Sequence, residues 1–374
     1  MRYIWERKNW FDFRPDEAVL LKPLSKLRVA QGKLLGRVAS LDIKLETQAQ
    51  ADVLVEEAVR TAEIEGQKLN REIVRSSVAA RLGLPRGVGA HDRNVDGLVD
   101  ILLDAVRFHD KPLTLKRLNG WQAALFPSGY SGLRKIRTGR LRGSAPMQIV
   151  SGPIGKEKVH FEAPPKGRLD EEMLLFLKWW NSSLGRMDGI MRAAAAHLRF
   201  ATIHPYEDGN GRLARAMTDM ALAQDEGLKV RFYSVSSEIM RMSGEYYKIL
   251  EDVQRCRVDA TEWFLWFIKC VTTAIENSRD IILDVLARVE FWNQHAQTQL
   301  NERQKKVLSR ILEAGRGNFT GGLTTRKYVS IGKTSRATAF REISDMLDKK
   351  VLRRLPGKGR SVHYDLIWPE INWK

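Results

Sequence analysis

The sequence predicts a mainly α protein of several domains: a helical core carrying one small β-hairpin, a helical N-terminal segment, and a C-terminal piece with a fold of its own. Three observations carry this. Apolar residues recur at helical spacing over most of the 374 residues,. Two short alternating or β-branched runs, at 147–150 and 159–162, flank the Gly/Pro turn SGPIGKEK,. The last fifth reads as helices followed by strand, Gly-rich turn and strand,. A hydrophobic share of 43% is enough for real cores, and 29% charged residues argue against wholesale disorder,. A chain of this length suggests two or three domains.

Taken in order, the start MRYIWERKNWFDF mixes charge with aromatics and lacks an apolar signal core, so a cytoplasmic protein is expected,. No apolar run approaches the ~18 residues of a membrane span, and even Trp263 to Val271 contains Lys269, so no membrane role is expected,. The two cysteines, Cys256 and Cys270, form neither a disulfide framework nor a four-ligand zinc site alone,. Helix is expected from about Asp16 to Ala80, with an early break at Pro23,. A second helix, Glu46 to Glu65, should stop at Gly66, and a third runs from Asn70 to Leu82,. LGLPRGVGAHDRN then marks a boundary,. The expected layout is an N-terminal helical segment at 1–90, a helical domain with the hairpin at 91–285, a helical linker at 286–300 and a final domain at 301–374.

Charge is uneven. There are 62 Lys and Arg against 45 Asp and Glu, a formal +17. Residues 301–374 contribute 17 basic and 7 acidic side chains, so +10 of that excess lies there. Such a balance favours nucleotides, nucleic acid or an acidic partner. NERQKKVLSRILEAG is an amphipathic helix stopped by Gly315; a short helix starts at Thr324 and a longer one covers Thr334 to Lys350,. With the β-wing VLRRLPGKGRSVHYDL, this order resembles a winged helix-turn-helix,. The resemblance implies DNA binding through residues 301–374, with Arg336, Arg341, Arg353, Arg354, Lys358 and Arg360 meeting phosphates; protein contact or internal packing is the open alternative,.

The chemistry concentrates at 204–215, HPYEDGNGRLAR. Gly209, Asn210 and Gly211 form a tight turn ahead of a helix, where free N–H groups favour an anion. Arg212 and Arg215 share the first turn and can grip phosphate oxygens. Asp208 is a hard oxygen ligand suited to Mg²⁺. His204 titrates near neutrality and suits a general base.

This segment resembles the signature of Fic-domain proteins, HxFx(D/E)GNGRxxR, with Tyr206 where the family usually has Phe. The added hydroxyl needs a partner if buried. Similarity runs from LFPSGYSGLRKIRTGRLRG to GEYYKILEDVQ, about residues 95–275, and the first helices resemble the leader of many bacterial Fic proteins. The resemblance implies a nucleotidyltransferase that moves AMP from ATP to a Tyr, Ser or Thr hydroxyl of a target protein, itself included. By that analogy His204 is the base and Asp208 holds Mg²⁺. Gly209, Asn210, Gly211, Arg212 and Arg215 bind the phosphates, Tyr247 and Gln254 lie against adenine, and the 147–162 hairpin is a flap that aligns the target. A homodimer is also implied.

TAEIEG at 61–66 matches the family's inhibitory helix, (S/T)xxxE(G/N), through Thr61, Glu65 and Gly66. The resemblance implies that Glu65 pairs with Arg215 and displaces the γ-phosphate from its clamp. Other readings stay open: hydrolytic removal of AMP from modified proteins, transfer of another nucleotide, and a DNA-binding regulator with the Fic domain as sensor.

Overall fold

The computed structural model describes residues 2–39, 43–85, 91–152, 158–257, 259–356 and 362–370. The fold is mainly helical with small two-stranded sheets. The chain divides into two compact units, residues 1–278 and 279–374.

The first unit opens with a short 3-10 turn at Ile4–Glu6, then α1 (Glu17–Val38), α2 (Ile43–Ile64) and α3 (Arg71–Leu82). Asp16 caps α1 by accepting from the Ala18 and Val19 amides at 2.9 and 3.2 Å,. The break expected at Pro23 does not occur, and α1 runs through it. A proline removes one helical hydrogen bond, to the carbonyl four residues back, here Val19. Val19 lies on an exposed stretch of the helix, where losing that bond costs least,. α2 ends as expected at Gly66, whose φ of +72° sends the chain back so that Gln67 N donates to Ala62 O at 2.9 Å,. Asn70 caps α3 through the Glu72 amide, and Gly83 closes it at φ +70°. Part of the expected boundary, residues 86–90, lies outside the described residues.

Next come α4 (Arg93–Arg107), α5 (Leu115–Leu125), the minimal hairpin β1 (Tyr130–Ser131) and β2 (Arg134–Lys135), and the hairpin β3 (Gln148–Ser151) and β4 (Lys158–Glu162). Helices α6 (Lys166–Ser183), α7 (Gly189–Ile203), α8 (Asn210–Glu226), α9 (Val235–Arg241), α10 (Ser243–Gln254) and α11 (Ala260–Gln294) follow, the residues of α11 from 279 on belonging to the second unit. The centre is α7 against α8. Ala193 to Ala196 are fully buried and let the two helices approach closely, while Leu198, Phe200, Leu213 and Met217 fill the space around them. Each of those large side chains contributes about 1.5–3 kcal/mol by leaving water. β1 and β2 escape sequence reading because two-residue strands leave no alternation to detect,.

β3 and β4 are the expected hairpin, antiparallel with Gln148 opposite Glu162 and Ser151 opposite Lys158. The register shifts between Ile149, opposite Phe161, and Val150, opposite Val159, so His160 is the extra residue of a β-bulge,. Most of the connecting turn, 153–157, lies outside the described residues. Phe161 is buried against Tyr3, and Trp5 Nε1 donates to Glu162 O at 2.7 Å, so the N-terminal segment backs β4.

The second unit contains α12 (Glu302–Ala314), α13 (Thr325–Gly332), α14 (Arg336–Asp348), β5 (Leu352–Arg354) and β6 (Tyr364–Leu366). Asn301 and Gln304 form a reciprocal capping box at the start of α12,. Val307, Leu308, Ile311, Tyr328, Ile343, Met346 and Leu366 share one core. β5 and β6 pair antiparallel, and Leu323 exchanges two main-chain bonds with Tyr364 at 2.7 and 2.8 Å. The wing's expected turn falls partly at 357–361, outside the described residues. Among the described residues no helix is long and apolar enough to cross a membrane.

Gly97 lets α4 come close to α5: a Cβ there would lie 1.9 Å from Ala124 O. Gly97→Ala is therefore expected to destabilise the first unit by about 1–3 kcal/mol, through overpacking against rigid backbone, as read by chemical denaturation.

Candidate active site

α7 hands the chain to α8 through the loop 204–209, and residues of this loop hold one another. His204 closes α7 at φ +50°, its amide bonded to Phe200 O at 3.0 Å. Asn210 ties the loop internally: its Oδ1 accepts from Tyr206 N at 2.9 Å and its Nδ2 donates to Tyr206 O at 2.8 Å. The buried Tyr206 ring finds the partner its hydroxyl requires, donating to Asn119 Oδ1 at 2.9 Å,. Arg142 N and Nε donate to Pro205 O and His204 O, each at 2.9 Å, pinning the loop from outside. Gly209 takes φ +89°, and a side chain there would meet Leu125 and Phe126 at 3.0 and 3.1 Å.

His204 Nδ1 lies 3.2 Å from Ala201 O. A carbonyl only accepts, so Nδ1 carries the proton and Nε2 is left as the basic nitrogen. Burial lowers the imidazole pKa below its ordinary value, against the opposing pull of the Ala201 carbonyl, Glu65 and Asp208. The ring is neutral at pH 7, the form a base needs.

Asp208 accepts from Ser131 Oγ and, at 2.5 Å, from Gly209 N. Arg212 Nη2 sits 3.6 Å from Asp208 Oδ1, Nη1 donates to Gln67 Oε1 at 3.2 Å, and the guanidinium lies 4.9 Å from the Phe126 ring centroid. Its Nε is buried without a hydrogen-bond partner, and burial lowers its pKa. Here is a buried cation with an unused donor.

Arg215 is held by Thr61 and Glu65. Nε donates to Thr61 Oγ1 at 2.6 Å, and Nη2 to Thr61 O at 2.9 Å and Glu65 Oε1 at 2.6 Å. Burial alone would lower its pKa; the Glu65 carboxylate, with Tyr246 and Tyr247 beside it, more than offsets this and holds the guanidinium above its ordinary value. Behind it, Tyr246 Oη donates to His197 Nε2 at 3.0 Å, and His197 Nδ1 donates to Thr218 Oγ1 at 2.9 Å, whose own proton goes to Ala214 O. Burial, helped by Arg215, pushes the His197 pKa down to about 3.

A cavity of about 720 Å³ joins Glu65, His204, Gly211, Arg215, Tyr247 and Gln254. Tyr247 Oη donates to Ile64 O at 2.9 Å, and Gln254 Nε2 to Thr202 Oγ1 at 3.2 Å. A groove of about 950 Å³ elsewhere in the unit, lined by Lys26, Trp266 and Lys269, contains none of the motif residues.

Residues 112–222 match the model of the Fic/DOC family. The chain carries a Fic/DOC domain. Residues 3–84 match a family described as "Domain of unknown function (DUF4172)". Among solved structures, a Fic family protein from Desulfovibrio desulfuricans G20 is similar at 18% identity with a TM-score of 0.53, over 94% of this chain and 97% of that one. A Fic domain-containing signaling protein from Bacteroides thetaiotaomicron VPI-5482 is similar at 16% identity and TM-score 0.54, over 69% and 97%. At these identities the likeness concerns the fold.

The structure brings His204, Gly211 and Arg215 of the matched stretch 112–222 together with Glu65, Tyr247 and Gln254 from outside it around one cavity. Asn210 instead gives both ends of its amide to the loop. Sequence reasoning did not single out Ser131, which braces Asp208, or Gln67, which meets Arg212; each lies far from its partner in sequence and belongs to no recognisable spacing. Nor did it single out His197, seven residues before His204, which reads as one polar residue in an apolar helix.

His197 carries a pH signature. An unfolded imidazole titrates near 6.5, the folded one at about 3, so the unfolded chain binds the extra proton between these values and stability falls as pH drops through that window,. The expected loss from this residue is about 1.4 kcal/mol per pH unit. Denaturation midpoints of His197→Gln, compared with the parent from pH 7 to 4, should show that component removed.

Proposed function

We propose that this protein is a self-restrained nucleotidyltransferase that moves AMP from ATP to a Tyr, Ser or Thr hydroxyl of a protein, itself included. The observation that carries the reading is the Glu65–Arg215 contact at 2.6 Å on the wall of the same cavity as a neutral His204. In this reading His204 Nε2 takes the proton of the attacking hydroxyl, the N-terminal turn of α8 and Arg212 receive phosphate oxygens, and Tyr247 and Gln254 border the base. Arg215 is the clamp for the terminal phosphate, and Glu65 already occupies it. The donors fit an anion: the Arg212 Nε is an unused buried donor, and a Cβ on Gly211 would come within 2.1 Å of Glu65 Oε1, so glycine leaves the place where that carboxylate sits.

For Mg²⁺ the fit is that of a single carboxylate. Asp208, braced by Ser131 and partly open to solvent, would hold the ion, which supplies charge neutralisation at the phosphates,. Among the described residues no cluster of three or more His, Cys, Asp or Glu could hold a metal by itself. Such a site suits an ion that arrives with its nucleotide.

The functional layout proposed is an inhibitory segment at 1–90, the catalytic domain at 91–285, a linker at 286–300 and a winged helix at 301–374. A second role is favoured by one observation: α14 exposes Arg336, Phe340 and Arg341 on one face, and β5 exposes Arg353 and Arg354. This is the face a recognition helix would present to a major groove.

Two outcomes are expected. With α-³²P-ATP and Mg²⁺, Glu65→Gly should label lysate proteins about 10- to 100-fold faster than the parent, and Glu65→Gly/His204→Ala should not label them. Absence of label from every variant, with nucleotide bound, would shift the reading to AMP removal. Separately, the full chain should retard duplex DNA at 50 mM salt and lose affinity steeply by 200 mM, with Arg336→Ala/Arg341→Ala weakening it across sequences.

A further inference from the structure

Three side chains outside the signature stand in line on the cavity wall. Ser151 Oγ, at the end of β3, lies 2.6 Å from His160 Nε2, and His160 Nδ1 lies 2.7 Å from Glu251 Oε2 on α10. The carboxylate accepts, so Nδ1 carries the proton and Nε2 accepts from the serine hydroxyl. This is the order of nucleophile, base and orienting acid that activates a serine. We propose that Ser151 is a nucleophile built into the hairpin, activated by His160 and Glu251, and that it takes AMP in cis. The inference rests on the nucleotidyl-transfer reading above and names an acceptor for it.

The backbone is arranged for this contact. The β-bulge makes His160 the unpaired residue of β4, freeing its ring from strict alternation so that it meets both Ser151 and Glu251,. Arg255 fixes the bulge: its Nε donates to His160 O at 2.6 Å and Nη2 to Val159 O at 2.8 Å. Arg255 and Arg257 also stand 3.5 Å from the other oxygen of Glu251, which settles the carboxylate.

Position selects Ser151 over other hydroxyls. It lines the cavity that contains His204, Gly211 and Arg215. Among the described residues the cavity's other hydroxyls are Tyr246 and Tyr247, which already donate to His197 Nε2 and the Ile64 carbonyl. Burial raises the pKa of both phenols, which makes their deprotonation harder. Ser151 is exposed and already hydrogen-bonded to a base.

The step balances as follows. Ser151 Oγ forms a bond to the α-phosphorus of ATP, and the bond from that phosphorus to the bridging oxygen of the β-phosphate breaks. Pyrophosphate leaves with the electron pair. The serine proton passes to His160 Nε2, and the imidazolium is held by Glu251 until water takes the proton. The product is a Ser151–AMP phosphodiester.

The test uses full-length Glu65→Gly with α-³²P-ATP and Mg²⁺, alone and with cell lysate, followed by digestion and peptide mapping. The expected result is label on the enzyme at Ser151, lost in Glu65→Gly/Ser151→Ala. His160→Gln in the same background should slow Ser151 labelling by about 10²- to 10⁴-fold, since glutamine keeps the polar contacts but has no basic nitrogen. A rate unchanged by that substitution would overturn the role of His160. Label elsewhere on the enzyme, or on lysate proteins alone, would overturn the inference and leave the transfer reading standing. No label on any protein would overturn both.

Discussion

Arg215 is a guanidinium closed off from solvent, and much of the site is arranged around keeping it charged. A buried cation is tolerated only where carboxylate and hydrogen-bond acceptors surround it. Thr61 and Glu65 provide both, which fixes where α2 must end and why Gly66 turns the chain at φ +72°. The same constraint explains His197. Burial, with Arg215 close by, keeps the imidazole neutral, so it accepts a hydrogen bond from Tyr246 Oη and donates one to Thr218 Oγ1. Gly211 completes the arrangement, because any side chain there would displace Glu65.

Around this charge the signature encodes geometry as much as ligands. Asn210 shapes the loop, Tyr206 anchors it through Asn119, and Arg142 holds it from outside. His204 stands at φ +50°, a conformation uncommon for a residue with a side chain, and the peptide units on either side are hydrogen-bonded,. The turn therefore delivers one imidazole nitrogen to the cavity and occupies the other.

Helices were legible wherever apolar spacing and caps agreed: Gly66, Asn70 and Gly315 fall where the chain stops or starts. Pro23 misled because the rule concerns a lost hydrogen bond, and a helix exposed at Val19 tolerates that loss. β1 and β2 were invisible at two residues each. In the candidate site, residues inside the signature were readable as a set, and so was the Thr61/Glu65 pair. Ser131, Gln67, Glu57 and the Ser151–His160–Glu251 line were not, because each depends on contacts between residues whose separation carries no period. The bulge at His160 is the clearest case: a one-residue shift of register decides whether that ring faces Glu251, and alternation alone does not locate it,.

How Glu65 could leave Arg215 follows from what else holds α2. About two turns earlier, Glu57 is buried and accepts from Ser234 Oγ at 2.7 Å, Ser236 N at 3.1 Å and Ser236 Oγ. Burial and the nearby Glu57 carboxylate push the pKa of Asp219 on α8 well up, with Arg231 close to both acids on that helix, Asp219 and Glu226. Withdrawing α2 as a unit would break the charge-assisted bonds of Glu57, each worth about 1.5–3 kcal/mol, and open this cluster as well. Glu65 has fewer ties. It lies beyond the last residue of α2, is about 30% exposed, and precedes a glycine already in the left-handed region. On the proposed reading, displacing its side chain leaves Thr61 on Arg215, so the guanidinium keeps both neutral acceptors while a phosphate would take the carboxylate's place. The low-cost route is therefore exchange of one anion for another at a fixed helix end, with α2 remaining docked.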